Sequence, residues 1–288
     1  FCLGDALDTK KKFDTKIFNY SDVSGIMLKT LENLEDHDFH SSPIPTLNIL
    51  NNVIEIEKFP GYGEDYMYGV KVNNYEFLNE NLINKDYASA VPKDVNLSVA
   101  RCCVLSICFL KKYLQKKDNY IEFYKTIKEI CQTIDSDLES LNSAWIVCYI
   151  IQNILYAMNL NSLNSNSNSN SIYSIKKNSY DLMKLLNTSV AKKKEILDHL
   201  LKIYSTKLEN IDNSSLNYAL WCLDIICQSI KQNVSDKLNF YKILNEVKGD
   251  TSNFCIVGAV LGSFIGYEKL PKDLHNTDFL EIKFKEII

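Results

Sequence analysis

The segment Asn142 to Met158, NSAWIVCYIIQNILYAM, decides the fold class of this 288-residue chain. Drawn as a helix with 3.6 residues per turn, it is apolar almost all round. A helix of this kind belongs inside a protein, where neighbouring elements cover every side of it. We therefore predict that this helix lies at the centre of a helical bundle.

Further helices are predicted where apolar residues recur at three- and four-residue spacing. Before the central segment the predicted ranges are 23–34, 96–111 and 121–134. After it they are 179–187, 190–204, 216–230, 236–247 and a last helix that begins near Ser252. Only 43–69, which is rich in Pro and Gly, looks non-helical, and no convincing strand pattern occurs. We expect an all-α protein of roughly ten helices, forming a single domain over 1–288.

The segment 161–171 consists almost entirely of Asn and Ser. Such side chains compete with the backbone for hydrogen bonds and bury no apolar surface. We expect an irregular loop inserted between helices, acting as a spacer.

The overall charge argues against a nucleic-acid partner. The chain has 32 basic and 36 acidic residues, a net charge of −4, whereas nucleic-acid binding usually leaves a basic footprint. The longest apolar stretch noted, 254–267, is shorter than the ~20 residues that span a bilayer. We therefore expect a soluble protein with no membrane partner.

The nine cysteines show no Cys-x-x-Cys pair, and the four histidines are spread apart. This pattern does not favour a thiolate or imidazole metal site. Most of the cysteines lie among Ile, Val and Leu, where a free thiol behaves as a small core residue. We expect reduced cysteines in an intracellular, cytoplasmic protein.

Three glycines, Gly258, Gly262 and Gly266, are four residues apart and so share one face of the last predicted helix. Glycine costs ~1 kcal/mol relative to alanine at a helical position. The simplest compensation is close approach of another helix backbone, which we predict along this face.

Four short segments resemble, in order, the motifs of one family. They are Gly4–Leu7 (GDAL), Tyr20–Ser24 (YSDVS), Asn96–Arg101 (NLSVAR) and Gly249–Asn253 (GDTSN). They are similar to the motifs G-D-A-L-G, Y-(S/T)-D-D-T, N-G-S-A-M-R and G-D-T-D-T-N of the ADP-ribosylglycohydrolases. The resemblance implies that family's all-helical fold, a single-domain orthogonal helical bundle.

The resemblance also implies a chemistry. Members of the family hydrolyse a glycosidic bond to ADP-ribose, with two Mg²⁺ ions held by acidic residues of the second and fourth motifs. Carried over to this chain, the metal positions are Ser21, Asp22, Asp250 and Ser252. The substrate-binding positions are Gly61, Gly63, Asn96 and Ser98, the two glycines resembling a glycine loop of the family. The implied ligand is ADP-ribose, free or attached to a protein.

Several of these motifs are altered. Val23 occupies the place of one metal-binding Asp, and at the fourth motif an Asp is either replaced by Ser252 or deleted. The four expected carboxylates fall to two, Asp22 and Asp250, whose charge does not balance two dications. Leu97 replaces a glycine, and no Glu occurs before Glu32 where the family often has a catalytic one. We expect one Mg²⁺ at most, or none, and assign no catalytic residue.

Three hypotheses follow. The first is a pseudoenzyme that serves as a binding, structural or assembly protein, with a protein partner. The second is an active, divergent Mg²⁺-dependent hydrolase that releases ADP-ribose. The third is a helical scaffold whose resemblance to the family is accidental. In a degraded family member, the bland interpretation of the retained motifs is that Asp22 is a helix N-cap and that Asp250 caps or braces the loop before the last helix. The family interpretation predicts that Asp22 and Asp250 lie across one cleft, within ~10 Å.

Overall fold

The described part of the chain, in a computed structural model, is built from helices. The residues that it describes are 4, 24, 27, 99, 100, 102, 103, 105–107, 120–132, 138–161, 172, 175, 215–232 and 238–270. The helices whose two ends lie in these ranges are α1 (Tyr120–Gln132), α2 (Leu138–Asn161), α3 (Ser215–Lys231), α4 (Phe240–Glu246) and α5 (Thr251–Ile265). A 3₁₀ turn at Tyr267–Lys269 follows α5. No strand occurs in these ranges, which confirms the all-α class for this part.

Within the part of the chain that the structure describes, helix α2 has a central place, as the sequence predicted. It contacts α1, α3 and α5, and every residue from 141 to 152 is buried. Helix α5 contacts α3 and α4 as well, so α2, α3 and α5 pack against one another. Burial from several directions explains why the sequence of α2 is apolar almost all round.

Within α2, the stretch Ser140–Met158 is long and apolar enough to cross a bilayer, judged by length and composition alone. It exceeds the stretch 254–267 on which the sequence-based argument about membranes relied. However, 78% of it is buried inside the protein, and a core helix that packs on three neighbours has the same composition. The expected lack of a membrane partner stays a prediction.

The helix boundaries agree with the periodicity at α1, α3 and α5, but the predicted helix 236–247 is too long. Asn239 has an extended backbone, and its side chain accepts a hydrogen bond from the backbone N–H of Lys242, 2.9 Å away. This cap starts α4 at Phe240. The helix ends at Glu246, because Val247 is again extended.

Near residues 99–107 the buried face differs in one position from the predicted stripe. Val99, Ala100 and Cys103 are buried as expected, although Cys103 lies in a turn, whereas Ile107 is 43% exposed. The hydroxyl of Ser106 donates a hydrogen bond to the carbonyl of Cys148 in α2, at 3.0 Å. This bond turns the Ser106 side of the segment inwards, so the next residue faces outwards.

The cysteines that the structure describes behave as core residues. All seven of them are buried and none of them is in a disulfide, as predicted for core cysteines at these positions. Burial raises the pKa of the Cys103 thiol to about 12 and that of Cys148 well above its ordinary value. The thiol of Cys148 donates to the carbonyl of Cys102 at 3.0 Å, so it is satisfied inside the core.

Several predictions fall outside the described residues. They are the helices at 179–187 and 190–204, the non-helical region 43–69 and the Asn/Ser segment 161–171 beyond Asn161, which ends α2. Of the predicted helix 23–34, only Ser24 and Met27 are described, and both are helical and buried.

Candidate functional site

The fourth resembling segment lies at the loop between α4 and α5, residues 247–250, here called the Asp250 loop. Lys248, Gly249 and Asp250 are exposed. Gly249 has a φ of 89°, in the left-handed region that favours glycine. Asp250 is the N-cap residue of α5, but its side chain makes no capping hydrogen bond. Asp250 is thus exposed at the start of α5, and its side chain does not cap that helix, whereas a bracing role in the loop stays a prediction.

The next two residues, Ser252 and Asn253, are buried in the first turn of α5, with exposed fractions of 5% and 0%. The Asn253 side chain forms two hydrogen bonds. Its Oδ1 accepts from the hydroxyl of Ser215 at 3.0 Å, and its Nδ2 donates to the carbonyl of Lys248 at 3.3 Å. Asn253 thus has a structural role that joins α5, the Asp250 loop and the beginning of α3.

A second hydrogen bond attaches the loop to α3. The backbone N–H of Lys248 donates to the hydroxyl of Tyr218, 3.1 Å away. Neither Ser215 nor Tyr218 was predicted from the sequence as part of the site. Ser215 is separated from Asn253 by 38 residues and Tyr218 from Lys248 by 30, and no local motif indicates such pairs.

The first and fourth resembling segments lie against each other. Gly4 is helical and buried, and a Cβ added there would overlap the carbonyl group of Phe254 and lie 3.3 Å from the Cα of Gly258. This contact confirms the predicted close backbone approach at Gly258. Among the residues that the structure describes, nothing lies within 4 Å of a Cβ added at Gly262 or Gly266, and Gly266, with a φ of 78°, ends α5 as its C-cap. The described part of the chain therefore shows no close backbone approach at these two positions.

Among the predicted metal positions, the structure describes Asp250 and Ser252. Asp250 supplies an exposed carboxylate, whereas Ser252 lies within the packed start of α5. Ser21 and Asp22 lie outside the described residues, as do the predicted substrate positions Gly61, Gly63, Asn96 and Ser98. The predicted proximity of Asp22 and Asp250 therefore stays a prediction.

In the described ranges, no group of three or more His, Cys, Asp or Glu side chains is placed to hold a metal ion. The Asp250 loop itself contains one carboxylate and one lysine, Lys248. Mg²⁺ takes octahedral oxygen ligands and is usually held in proteins by one or two carboxylates, with waters and substrate phosphates completing the set. A site for two ions at this loop would need carboxylates from other parts of the chain.

No protein-family model matches the chain. No curated protein sequence matches it either.

Proposed function

We propose that this chain is a non-catalytic, ADP-ribosylglycohydrolase-like intracellular protein that serves in binding or assembly. The observation that carries the proposal is the composition of the fourth segment. Asp250 is its one carboxylate, and the two residues after Thr251 are neutral and buried, with Asn253 engaged in hydrogen bonds within the fold.

The argument is electrostatic. Two Mg²⁺ ions in one site repel each other, and several carboxylates must surround them to offset the charge. With Val23 at one altered position and Ser252 or a deletion at the other, two carboxylates, Asp22 and Asp250, are left for that task. The pair of ions that would orient and activate a hydrolytic water is then not held.

The contact between Gly4 and α5 supports the fold part of the proposal. It brings the first resembling segment against the helix that begins in the fourth, although Gly4 and Phe254 are 250 residues apart in the sequence. The all-helical character of the described part agrees with the same family. Both observations fit the proposed fold.

Calorimetric titration with ADP-ribose, with and without Mg²⁺, tests the proposal on the wild-type chain, Asp250→Asn and the control Glu246→Gln. Glu246 is an exposed acid at the end of α4, so its variant removes one charge close to the loop without altering it. We expect either metal-independent binding of ADP-ribose, weakened only by Asp250→Asn, or no binding and hence an assembly role. A parallel assay should show no release of ADP-ribose from modified protein. Mg²⁺-dependent turnover would overturn the proposal.

The exposed carboxylate of Asp250, which is not used as a side-chain cap, favours one alternative function, an active divergent hydrolase. This alternative predicts that Asp250→Ala abolishes turnover while the circular dichroism spectrum and the melting temperature stay close to those of the wild type. Full activity in the variant would rule out Asp250 as part of that active site.

A further inference from the structure

We infer that the first turn of α3 positions the Asp250 loop, with Ser215 and Tyr218 as positioning residues. Both hydrogen-bonding groups of the Lys248 backbone are held by side chains. Its N–H donates to the Tyr218 hydroxyl, and its carbonyl accepts from the Asn253 amide. The Ser215 hydroxyl in turn donates to Asn253, so α3 holds the loop once directly and once through α5.

The three side chains that form these bonds are themselves fixed by the core. Ser215 and Asn253 are fully buried, and Tyr218 is 2% exposed. Buried polar groups that lose a partner in such surroundings are not readily compensated by water. Lys248, by contrast, is an exposed residue of a loop. The hydrogen bonds therefore connect the exposed part of the loop, residues 248–250, to side chains that the core holds in place.

These hydrogen bonds also fix the backbone on both sides of Asp250. Lys248 comes directly before Gly249, whose left-handed backbone sets the direction of the chain into Asp250 and α5. On the other side, the N–H of Asn253 donates to the carbonyl of Asp250 at 2.9 Å. Asp250 is thus held between two fixed residues, and its carboxylate is presented to solvent by a preformed loop.

A ligand that contacts Asp250 would meet a loop that needs little further ordering, which favours binding. Only this last step rests on the proposed function. The attachment of the loop to α3 is a property of the fold and can be tested without any ligand.

Hydrogen–deuterium exchange on Tyr218→Phe tests the attachment. The substitution removes one hydroxyl and retains the ring, which packs edge-on to Trp221 at a centroid distance of 6.2 Å. We expect about fivefold faster amide exchange at Lys248, the ratio for loss of one net hydrogen bond, with unchanged Trp emission. The control Tyr267→Phe removes the hydroxyl of a half-exposed tyrosine outside the loop and should leave this exchange unaltered. Unchanged exchange at Lys248 in folded Tyr218→Phe would overturn the inference.

Titration of the same variants with ADP-ribose tests the positioning role. If the wild type binds, Tyr218→Phe and Ser215→Ala should weaken binding about fivefold, whereas Ser215→Thr, which keeps the hydroxyl donor, should restore it. Faster exchange without any change in affinity would show that the loop is held but that its position does not matter for binding. If the wild type does not bind, the proposed ligand is wrong, and the exchange experiment alone decides the attachment.

Discussion

At the scale of single residues, Gly4 is closely constrained because it packs directly against the backbone of α5. The atoms that a side chain would meet belong to the main chain of Phe254 and Gly258, not to a flexible side-chain end. A main chain inside a helix cannot move aside without breaking its own hydrogen bonds. The position therefore requires glycine, because any side chain would collide with the main chain of α5.

We expect Gly4→Ala to lower the free energy of unfolding by about 1–3 kcal/mol, the usual cost of overpacking. The matched control is Gly262→Ala, because no atom of the described residues lies within 4 Å of the added Cβ there. That variant should be neutral or raise stability by up to ~1 kcal/mol, since alanine favours the helix. Urea unfolding of both proteins measures the difference. Equal effects would contradict the packing described for Gly4.

The buried thiol of Cys103 makes a prediction about pH. Its pKa is raised from 9.0 to about 12 by burial, so the unfolded chain loses this proton at lower pH than the folded one. The contribution to stability is complete below pH 9 and is lost as the pH rises towards 12. The expected slope is ~1.4 kcal/mol per pH unit for one such thiol.

The measurement is urea unfolding at pH 8 and pH 10.5 for the wild type and for Cys103→Ala. Other groups also titrate in this range, but they are shared by both proteins. The wild type should lose more stability than the variant across the interval. Parallel losses would mean that Cys103 ionises as readily in the folded protein as in the unfolded chain.

At the scale of elements, α2 contains a polar residue that its surroundings do not satisfy. Asn142 is 3% exposed, and no hydrogen-bond partner for either amide atom is found among the described residues. A buried amide without partners costs roughly 1–3 kcal/mol relative to solution. The same helix also contains Asn153, whose amide donates to the Tyr149 carbonyl at 2.8 Å.

We therefore expect Asn142→Leu to raise the free energy of unfolding by about 1–2 kcal/mol, because it exchanges a buried amide for an apolar side chain of similar size. The same substitution at Asn153 removes a hydrogen bond that is made and should not stabilise the protein. Thermal and urea unfolding of the pair give the comparison. A destabilised Asn142→Leu would indicate that a water or ligand satisfies this amide.

At the scale of the whole molecule, the proposed loss of the metal site predicts that Mg²⁺ raises the melting temperature only slightly. A ligand at its dissociation constant stabilises a protein by only about 0.4 kcal/mol, which for a chain of this size shifts the melting temperature by about 1 °C or less. We expect the melting temperature to rise by no more than this in about 10 mM Mg²⁺, and EDTA should not lower it. A rise above about 5 °C, abolished in Asp250→Asn, would show that a tight ion site exists.

Around the Asp250 loop, sequence patterns predict the positions of the helices but not the single hydrogen bonds that start a helix or hold the loop. The periodicity located α1, α3 and α5 to within a residue or two at each described end, because each helix repeats its apolar positions locally. It placed the start of α4 too early, because the cap at Asn239 depends on one hydrogen bond and not on a repeat. The motif pattern indicated Asp250, but nothing in it indicated Tyr218.

By itself, the sequence determined the all-helical class of the described part, the central place of α2 and the burial of the described cysteines. These properties follow from which residues are apolar and how they repeat, and every segment carries that information locally. Tertiary structure alone decided that Gly4 lies on Phe254 and Gly258, and that Ser215 and Tyr218 hold the Asp250 loop. Such contacts join residues far apart in the chain, and their partners are selected by how whole helices pack.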